Sequence, residues 1–105
     1  MKKAISVHRA SSTKDSTALK REINTLRFDA ERKGWAIVES FYTASPSDLP
    51  APELAGLLSL FEAADASDVI LAHVDRLRRV NERDFIRMVA VIEQAGVAVH
   101  VRVGS

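Results

Sequence analysis

The chain has 105 residues, of which 47% are hydrophobic and 28% charged, a composition typical of one folded domain with a single core. Its 15 basic and 14 acidic residues nearly balance, so any contact with nucleic acid has to come from a local cluster of charge. The absence of cysteine excludes disulfides, thiolate zinc sites and cysteine nucleophiles, and it fits a reducing compartment. No segment resembles a signal peptide or approaches the roughly 20 apolar residues of a membrane span. We therefore expect a cytoplasmic protein that does not contact a membrane.

The first third of the chain predicts a strand, a helix and a second strand. Residues 4–8 are short and mostly apolar, which indicates a strand. Ser16 is a suitable N-cap for a helix that extends to Lys33, and Gly34 follows as the glycine that ends it. Residues 35–42 predict the second strand. The apolar positions of the helix are spaced by four, three and four residues: Leu19, Ile23, Leu26 and Ala30.

The rest of the chain alternates in the same way. Residues 43–51 are rich in Ser, Pro and Asp and predict a loop, and Pro52 fits the first turn of a second helix. Residues 68–74 are almost continuously apolar, which is typical of a strand covered on both faces of a parallel sheet. Asn81 is a candidate N-cap for a third helix, and residues 97–103 predict the last strand. The apolar stripes of these two helices are Leu54, Leu57, Leu58 and Phe61, then Phe85, Met88, Val89 and Ile92.

This order of elements predicts an α/β fold with three layers, in which a mostly parallel sheet carries helices on both faces. Ligands of such sheets bind at the carboxyl ends of the strands. If the first and third strands are neighbours, Ser11 lies beside Arg9, Arg76 and Arg79, and this chemistry suits a phosphate because guanidinium groups bind its oxygens in pairs. Hydroxyls after strands also cap helices, and arginines at helix starts often only face solvent. The residues alone leave the phosphate site open.

Two segments resemble motifs of the serine recombinase (resolvase/invertase) family. Residues 7–13, Val-His-Arg-Ala-Ser-Ser-Thr, resemble the Arg-x-Ser motif of its first strand. Residues 68–79 resemble its Asp-Arg-Leu-x-Arg motif at the exit of the third strand. The resemblance covers nearly the whole chain in the right order. It implies one resolvase-like catalytic domain over residues 1–105 with the flavodoxin-like strand order and no C-terminal DNA-binding domain present.

The resemblance also implies a mechanism. Ser11 matches the nucleophile, which attacks a DNA phosphodiester and forms a 5′-phosphoserine link that a free 3′-OH later reverses. Arg9, Arg76 and Arg79 match arginines that neutralise charge on the phosphoryl oxygens, and Asp75 matches an orienting carboxylate. This chemistry implies no metal and no cofactor. The implied partners are DNA and, in the full-length protein, further copies in a dimer or tetramer, whereas this chain alone is expected to associate weakly or stay monomeric.

The sequence departs from the family at the turn before the second helix. Where the family has an Arg-Pro-Gly-Leu-like turn, this chain has Ala51, Pro52 and Glu53, so an arginine is missing and a negative charge that would repel a phosphate is added. Lys14 and Arg78, both candidate contacts to DNA phosphates, are the residues that could substitute. Loss of one transition-state arginine costs on the order of 3 kcal/mol. The alternative function is therefore a catalytically degenerate resolvase-like domain that regulates by binding DNA or another recombinase.

The remaining candidates are weaker. His8 and His73 lie near the ends of the first and third strands, but no third ligand accompanies them, so a histidine satisfied by backbone groups is favoured over a metal site. His100 and Trp35 are interpreted as structural. A receiver domain or a dinucleotide-binding module is disfavoured because the acidic cluster after the first strand and the Gly-x-Gly-x-x-Gly pattern are both absent from the sequence.

Overall fold

The computed structural model describes residues 1–9, 17–44, 49–72 and 82–102, and in these ranges strands and helices alternate. Each of the seven predicted elements is present, and wherever the sequence predicted a start or an end, the described boundary lies within two residues of it. Among the described residues, no helix combines the length and the hydropathy that a membrane span requires. The elements are β1 (Lys2–Arg9), α1 (Thr17–Arg32), β2 (Trp35–Thr43), α2 (Ala51–Ala64), β3 (Asp68–Ala72), α3 (Glu82–Gln94) and β4 (Ala98–Arg102).

The four strands form one parallel sheet in the order β2-β1-β3-β4. The chain steps one way from β1 to β2 and the other way from β2 through β3 to β4. Because crossovers between parallel strands are right-handed, this reversal puts α1 on one face of the sheet and α2 with α3 on the other. The predicted three-layer α/β fold and its flavodoxin-like strand order are confirmed.

The larger core lies between the sheet and the helices α2 and α3. Alternate residues of β1 point to this face, so Ile5 and Val7 pack in the same cluster as Leu57 of α2 and Ile92 of α3. All four side chains are fully buried. The apolar stripe predicted for the third helix packs in this core, and so do Leu54, Leu57 and Phe61 of the stripe predicted for the second. Leu58 is not part of this cluster, and Leu60 packs there instead.

A smaller core lies under α1. Leu26 and Ala30 of α1 pack with Ala4 of β1 and Ile70 of β3, and Trp35 covers the cluster at the start of β2. The last residues of α1 lead into Gly34, whose φ of 95° lies in the left-handed region that favours glycine at a helix end. Both faces of β1 are thus covered, and the strand is buried without a break from Ala4 to His8.

Asp68, the first residue of β3, joins β3 to β4 at the amino end of the sheet. The hydroxyl of Ser67 donates to its Oδ1 at 2.5 Å, and Nε2 of His100 donates to its Oδ2 at 2.7 Å. Burial alone would raise the pKa of the Asp68 carboxyl, but these hydrogen bonds and the charges of His100 and Lys2 outweigh it and hold the pKa below its usual value. The folded state therefore favours the ionised carboxylate.

We expect the Asp68→Asn variant to lose about 1–3 kcal/mol of unfolding free energy at pH 7, because the buried amide replaces an acceptor of two hydrogen bonds. A lowered carboxyl pKa stabilises the fold above the ordinary value of 3.8 and stops doing so as the pH falls through the folded-state pKa. The difference between variant and wild type should therefore shrink in urea unfolding curves recorded from pH 7 down to pH 3. The exposed Glu93→Gln on α3 is the control, and a constant difference across this pH range would contradict the account.

Candidate active site

The carboxyl ends of β1, β2 and β3 lie side by side at one edge of the sheet, which we call the carboxyl edge and define by Arg9, Thr43 and Ala72. Arg9 is the register partner of Thr43, and Val7 of β1 pairs with Leu71 of β3. The first and third strands are therefore neighbours, as the predicted phosphate site requires. The side chain of Arg9 is exposed, so a guanidinium group stands at the end of the central strand where a ligand in solution can reach it.

The other residues of the predicted site lie outside the described residues. The chain leaves β1 after Arg9 and leaves β3 after Ala72, both at the carboxyl edge. The predicted site residues follow these two strand ends directly in sequence. The topology therefore agrees with the expected proximity of the site residues, whereas the contacts among them stay a prediction. They are Ser11 and Lys14 within residues 10–16, and Asp75, Arg76, Arg78 and Arg79 within residues 73–81.

The start of α2 is attached to the carboxyl edge by Glu53. Thr43 Oγ1 at the end of β2 donates a hydrogen bond of 2.5 Å to Glu53 Oε1. Glu53 lies in the first turn of α2, where a carboxylate is stabilised by the positive end of the helix dipole. The sequence indicated only a charge that would repel a phosphate, whereas the structure shows a carboxylate that holds α2 to β2. Ala51, the first residue of α2, is exposed beside it.

A buried polar network lies on the α1 face of β1, one residue before Arg9. His8 Nε2 is 2.7 Å from Ser6 Oγ, and Ser6 Oγ is 2.9 Å from Ser40 Oγ of β2. His8 Nδ1 is 3.6 Å from Glu22 Oε1 of α1, and the ring stacks on Tyr42 with centroids 5.9 Å apart. Both Ser6 and His8 are 0% exposed. His8 is thus fully buried and Nε2 meets a side chain, which differs from the backbone partner we expected.

A signal for this network is present in the sequence. Ser6 and His8 are two residues apart on a strand, so both point to the same face as Ala4. Glu22 lies four and eight residues before Leu26 and Ala30, so it occupies a position of the apolar stripe of α1. Polar residues at positions that the pattern predicts to be buried need polar partners, and these three residues contact one another.

A groove of about 590 Å³ opens elsewhere, between the last turns of α1 and the strands β3 and β4. Trp35 and Lys33 at the amino end of β2 line it, together with His100 of β4, so the groove is separate from Arg9 and the carboxyl edge. Trp35 packs against His100 there, with ring centroids 4.4 Å apart. Within the described ranges, no group of three or more His, Asp or Glu residues is placed to hold a metal ion.

Comparison with known proteins agrees with this geometry. The family model described as the N-terminal domain of resolvase matches residues 4–103. The chain belongs to the resolvase family. A solved structure described as the C-terminal catalytic domain of ISC1926 TnpA, an IS607-like serine recombinase, is similar, with a TM-score of 0.70 and 29% identity over 98% of this chain and 69% of that chain. No curated protein matches the chain at a significant level.

The resolvase match includes both segments that carried the resemblance, residues 7–13 and 68–79. It also includes Ala51 and Glu53, so the unusual start of α2 is a feature of this resolvase domain itself and does not indicate a different fold. The chain is a serine recombinase-like domain, and its α/β fold is that of a serine recombinase catalytic domain.

We expect Thr43→Val in the resolvase domain to lower the unfolding free energy by about 1–2 kcal/mol, because valine keeps the shape of the buried threonine but cannot donate to Glu53. Thr43→Ser is the matched control, since it keeps the hydroxyl and should retain the cross-link between β2 and α2. Chemical denaturation of the two variants measures the difference. A Thr43→Val variant as stable as Thr43→Ser would show that the hydrogen bond contributes little to holding α2 at the carboxyl edge.

Proposed function

We propose that this resolvase domain cleaves and rejoins DNA with Ser11 as the nucleophile. The Ser11 oxygen attacks a backbone phosphorus, the bond from that phosphorus to the 3′ oxygen breaks, and the 3′ oxygen leaves as a hydroxyl with the proton that the serine gives up. The product is a 5′-phosphoserine ester. Attack by a 3′-OH on this ester restores a DNA phosphodiester and frees the serine, so one ester is exchanged for another and no energy source is consumed.

The position of Arg9 carries this proposal. Its exposed guanidinium lies at the carboxyl end of the central strand, two residues before Ser11 in sequence, where parallel α/β sheets bind ligands. In the proposed site Arg9, Arg76 and Arg79 neutralise the charge that develops on the phosphoryl oxygens, and Asp75 orients one of these guanidinium groups. Lys14 and Arg78 contact the neighbouring DNA phosphates.

DNA is the proposed substrate and partner. Exchange of strands between two duplexes requires cleavage at four strands, so we infer that the domain works as an oligomer in its full-length protein, as a dimer or tetramer. Binding of DNA by the chain alone is expected to be weak and to fall with salt, because the net charge is only +1 and the contacts are to phosphates.

A second candidate function is regulatory, and Ala51 is the observation that favours it. The exposed methyl group at the start of α2 stands where the family resemblance places an arginine, and this position is attached to the carboxyl edge through the Glu53–Thr43 hydrogen bond. A domain that lacks one guanidinium for the transition state could still bind DNA or another recombinase subunit. Covalent chemistry at Ser11 separates the two candidates.

We expect the wild-type chain to form a covalent adduct with DNA through Ser11. The probe is a pool of duplexes with randomised sequence and a bridging sulfur in place of the 3′ oxygen at the scissile positions, because the thiol that leaves is a poor nucleophile for the reverse step. Adducts that survive denaturation are digested and analysed by mass spectrometry for a nucleotide on the Ser11 peptide. The adduct should vanish in Ser11→Ala and persist in Ser12→Ala, the matched control one residue away. No adduct in the wild type would contradict the proposal and favour the regulatory function, and an adduct that survives in Ser11→Ala would show that another residue is the nucleophile.

We expect Ala51→Arg to raise the rate of adduct formation roughly ten- to hundred-fold, because a guanidinium aimed at developing phosphoryl charge contributes on that scale. The residue is exposed, so the longer side chain has room. Ala51→Gln is the control, since it adds a polar side chain of similar reach without charge. Equal rates in all three proteins would show that the start of α2 takes no part in the reaction.

A further inference from the structure

His8 occupies the centre of a polar chain that links three elements. Ser40 of β2, Ser6 and His8 of β1, and Glu22 of α1 follow one another with separations of 2.9, 2.7 and 3.6 Å. The imidazole is fully buried, and both its Nδ1 and the second carboxylate oxygen of Glu22 are individually shielded from water. A buried imidazole beside a partly buried carboxylate is a place where one proton has a large effect on stability.

The order serine, histidine, glutamate also occurs in hydrolases, but this network does not serve as a catalytic triad. Ser6 is 0% exposed and lies in the middle of the central strand, so no substrate can reach its oxygen. The chain of polar groups therefore connects α1, β1 and β2 and does not act on a substrate.

The hydrogen bond between Nε2 and Ser6 can form with His8 either neutral or protonated. In the neutral form the proton sits on Nδ1, which faces the Glu22 carboxylate, and Nε2 accepts from the Ser6 hydroxyl while Ser6 accepts from Ser40. In the protonated form Nε2 donates to Ser6, the Ser6 hydroxyl turns to Ser40, and the imidazolium faces Glu22. Apart from the added proton, the two states differ only in the rotation of hydroxyl groups. The ring can therefore take up a proton without leaving the Ser6 hydroxyl without a hydrogen-bond partner.

The described elements bring few other titratable groups to the ring. Glu22 of α1 favours the protonated form, and burial of the ring opposes it. Tyr42 of β2 stacks on the ring and is half-exposed. Arg9 follows on the opposite pleat of β1, and the neighbouring β3 presents Ile70 opposite Ser6, which carries no charge.

We propose that His8 is a positioning residue that ties α1 to the carboxyl end of β1 through Glu22, and that this tie is stronger when His8 carries a second proton. β1 ends at Arg9 and α1 begins at Thr17, so the tie holds both ends of the stretch of sequence that contains Ser11. The consequence for DNA cleavage rests on the function proposed above. The existence of the tie between α1 and β1 does not depend on that function.

The first test follows the ring directly by NMR of the full chain with ¹⁵N-labelled histidine between pH 5 and 9. We expect neutral His8 to be the Nδ1–H tautomer and to titrate in this range. Glu22→Gln should lower the titration midpoint by about one pH unit, a tenfold loss of proton affinity, because it removes the facing charge. His8→Gln, His73→Gln and His100→Gln together assign the three histidine resonances, and His100→Gln also serves as the control. An Nε2–H tautomer, no titration, or a midpoint unchanged in Glu22→Gln would overturn the proposal.

The second test measures the tie by hydrogen exchange of the α1 amides of Leu26 and Ala30, corrected for the intrinsic effect of pH. Protection should be about tenfold greater below the His8 midpoint than above it. The pH dependence should disappear in Glu22→Gln and in His8→Gln, and it should persist in His100→Gln, which breaks a similar pair at the other end of the same sheet. Protection that does not change with pH in the wild type would also overturn the tie.

The same variants separate this inference from the proposed function. If the Ser11 adduct forms, its rate should be greater below the His8 midpoint than above it, and this part of the pH profile should be flat in Glu22→Gln. An adduct whose pH profile is unchanged in Glu22→Gln would overturn the role in positioning Ser11. If no adduct forms but the tautomer, midpoint and exchange results hold, the tie stands and only the proposed nucleophile fails.

Discussion

Burial of β1 from Ala4 to His8 is the constraint on which the rest of the structure depends. The strand is covered on both faces and paired on both sides, so each of its residues from Ala4 to His8 has to match a different neighbour. Ile5 and Val7 meet the core under α2 and α3, and Ala4 meets the core under α1. At its carboxyl end the strand reaches solvent at Arg9, and the candidate site begins there.

Polar groups inside such a strand are stable only if their partners come from other elements. Ser6 and His8 are satisfied in part by Ser40 and approached by Glu22, and the result is a connection from β2 through β1 to α1. Asp68 and His100 connect β3 and β4 at the opposite end of the sheet. Because a buried polar atom without a partner costs about 1–3 kcal/mol, these pairs restrict how the helices and strands can be placed and so help to specify one arrangement.

The departures from the recombinase pattern concern the chemistry of the site and leave its framework intact. The resolvase family model spans the unusual turn, and the fold is shared with a serine recombinase catalytic domain at 29% identity. Glu53 replaces a family glycine and gains a structural contact with Thr43, so this substitution stabilises the position of α2. Ala51 brings no comparable contact. The framework can thus be maintained whether or not the phosphoryl chemistry is complete.

The sequence by itself determined the order of the elements, the three-layer fold and the faces of the helices, because strand and helix periodicities are local and right-handed crossovers leave few ways to arrange them. It also predicted that Arg9 follows directly after a strand, whereas the strand order that puts the first strand beside the third was implied only by the family resemblance. Only the tertiary structure decided which polar side chains meet. Glu53 and Thr43 are 10 residues apart, His100 and Asp68 are 32 apart, and Ser6 and Ser40 are 34 apart. These contacts depend on strand register and on the way each helix packs, because a hydrogen bond tolerates a displacement of less than about an ångström. No local sequence pattern encodes the relative position of side chains that are so far apart along the chain.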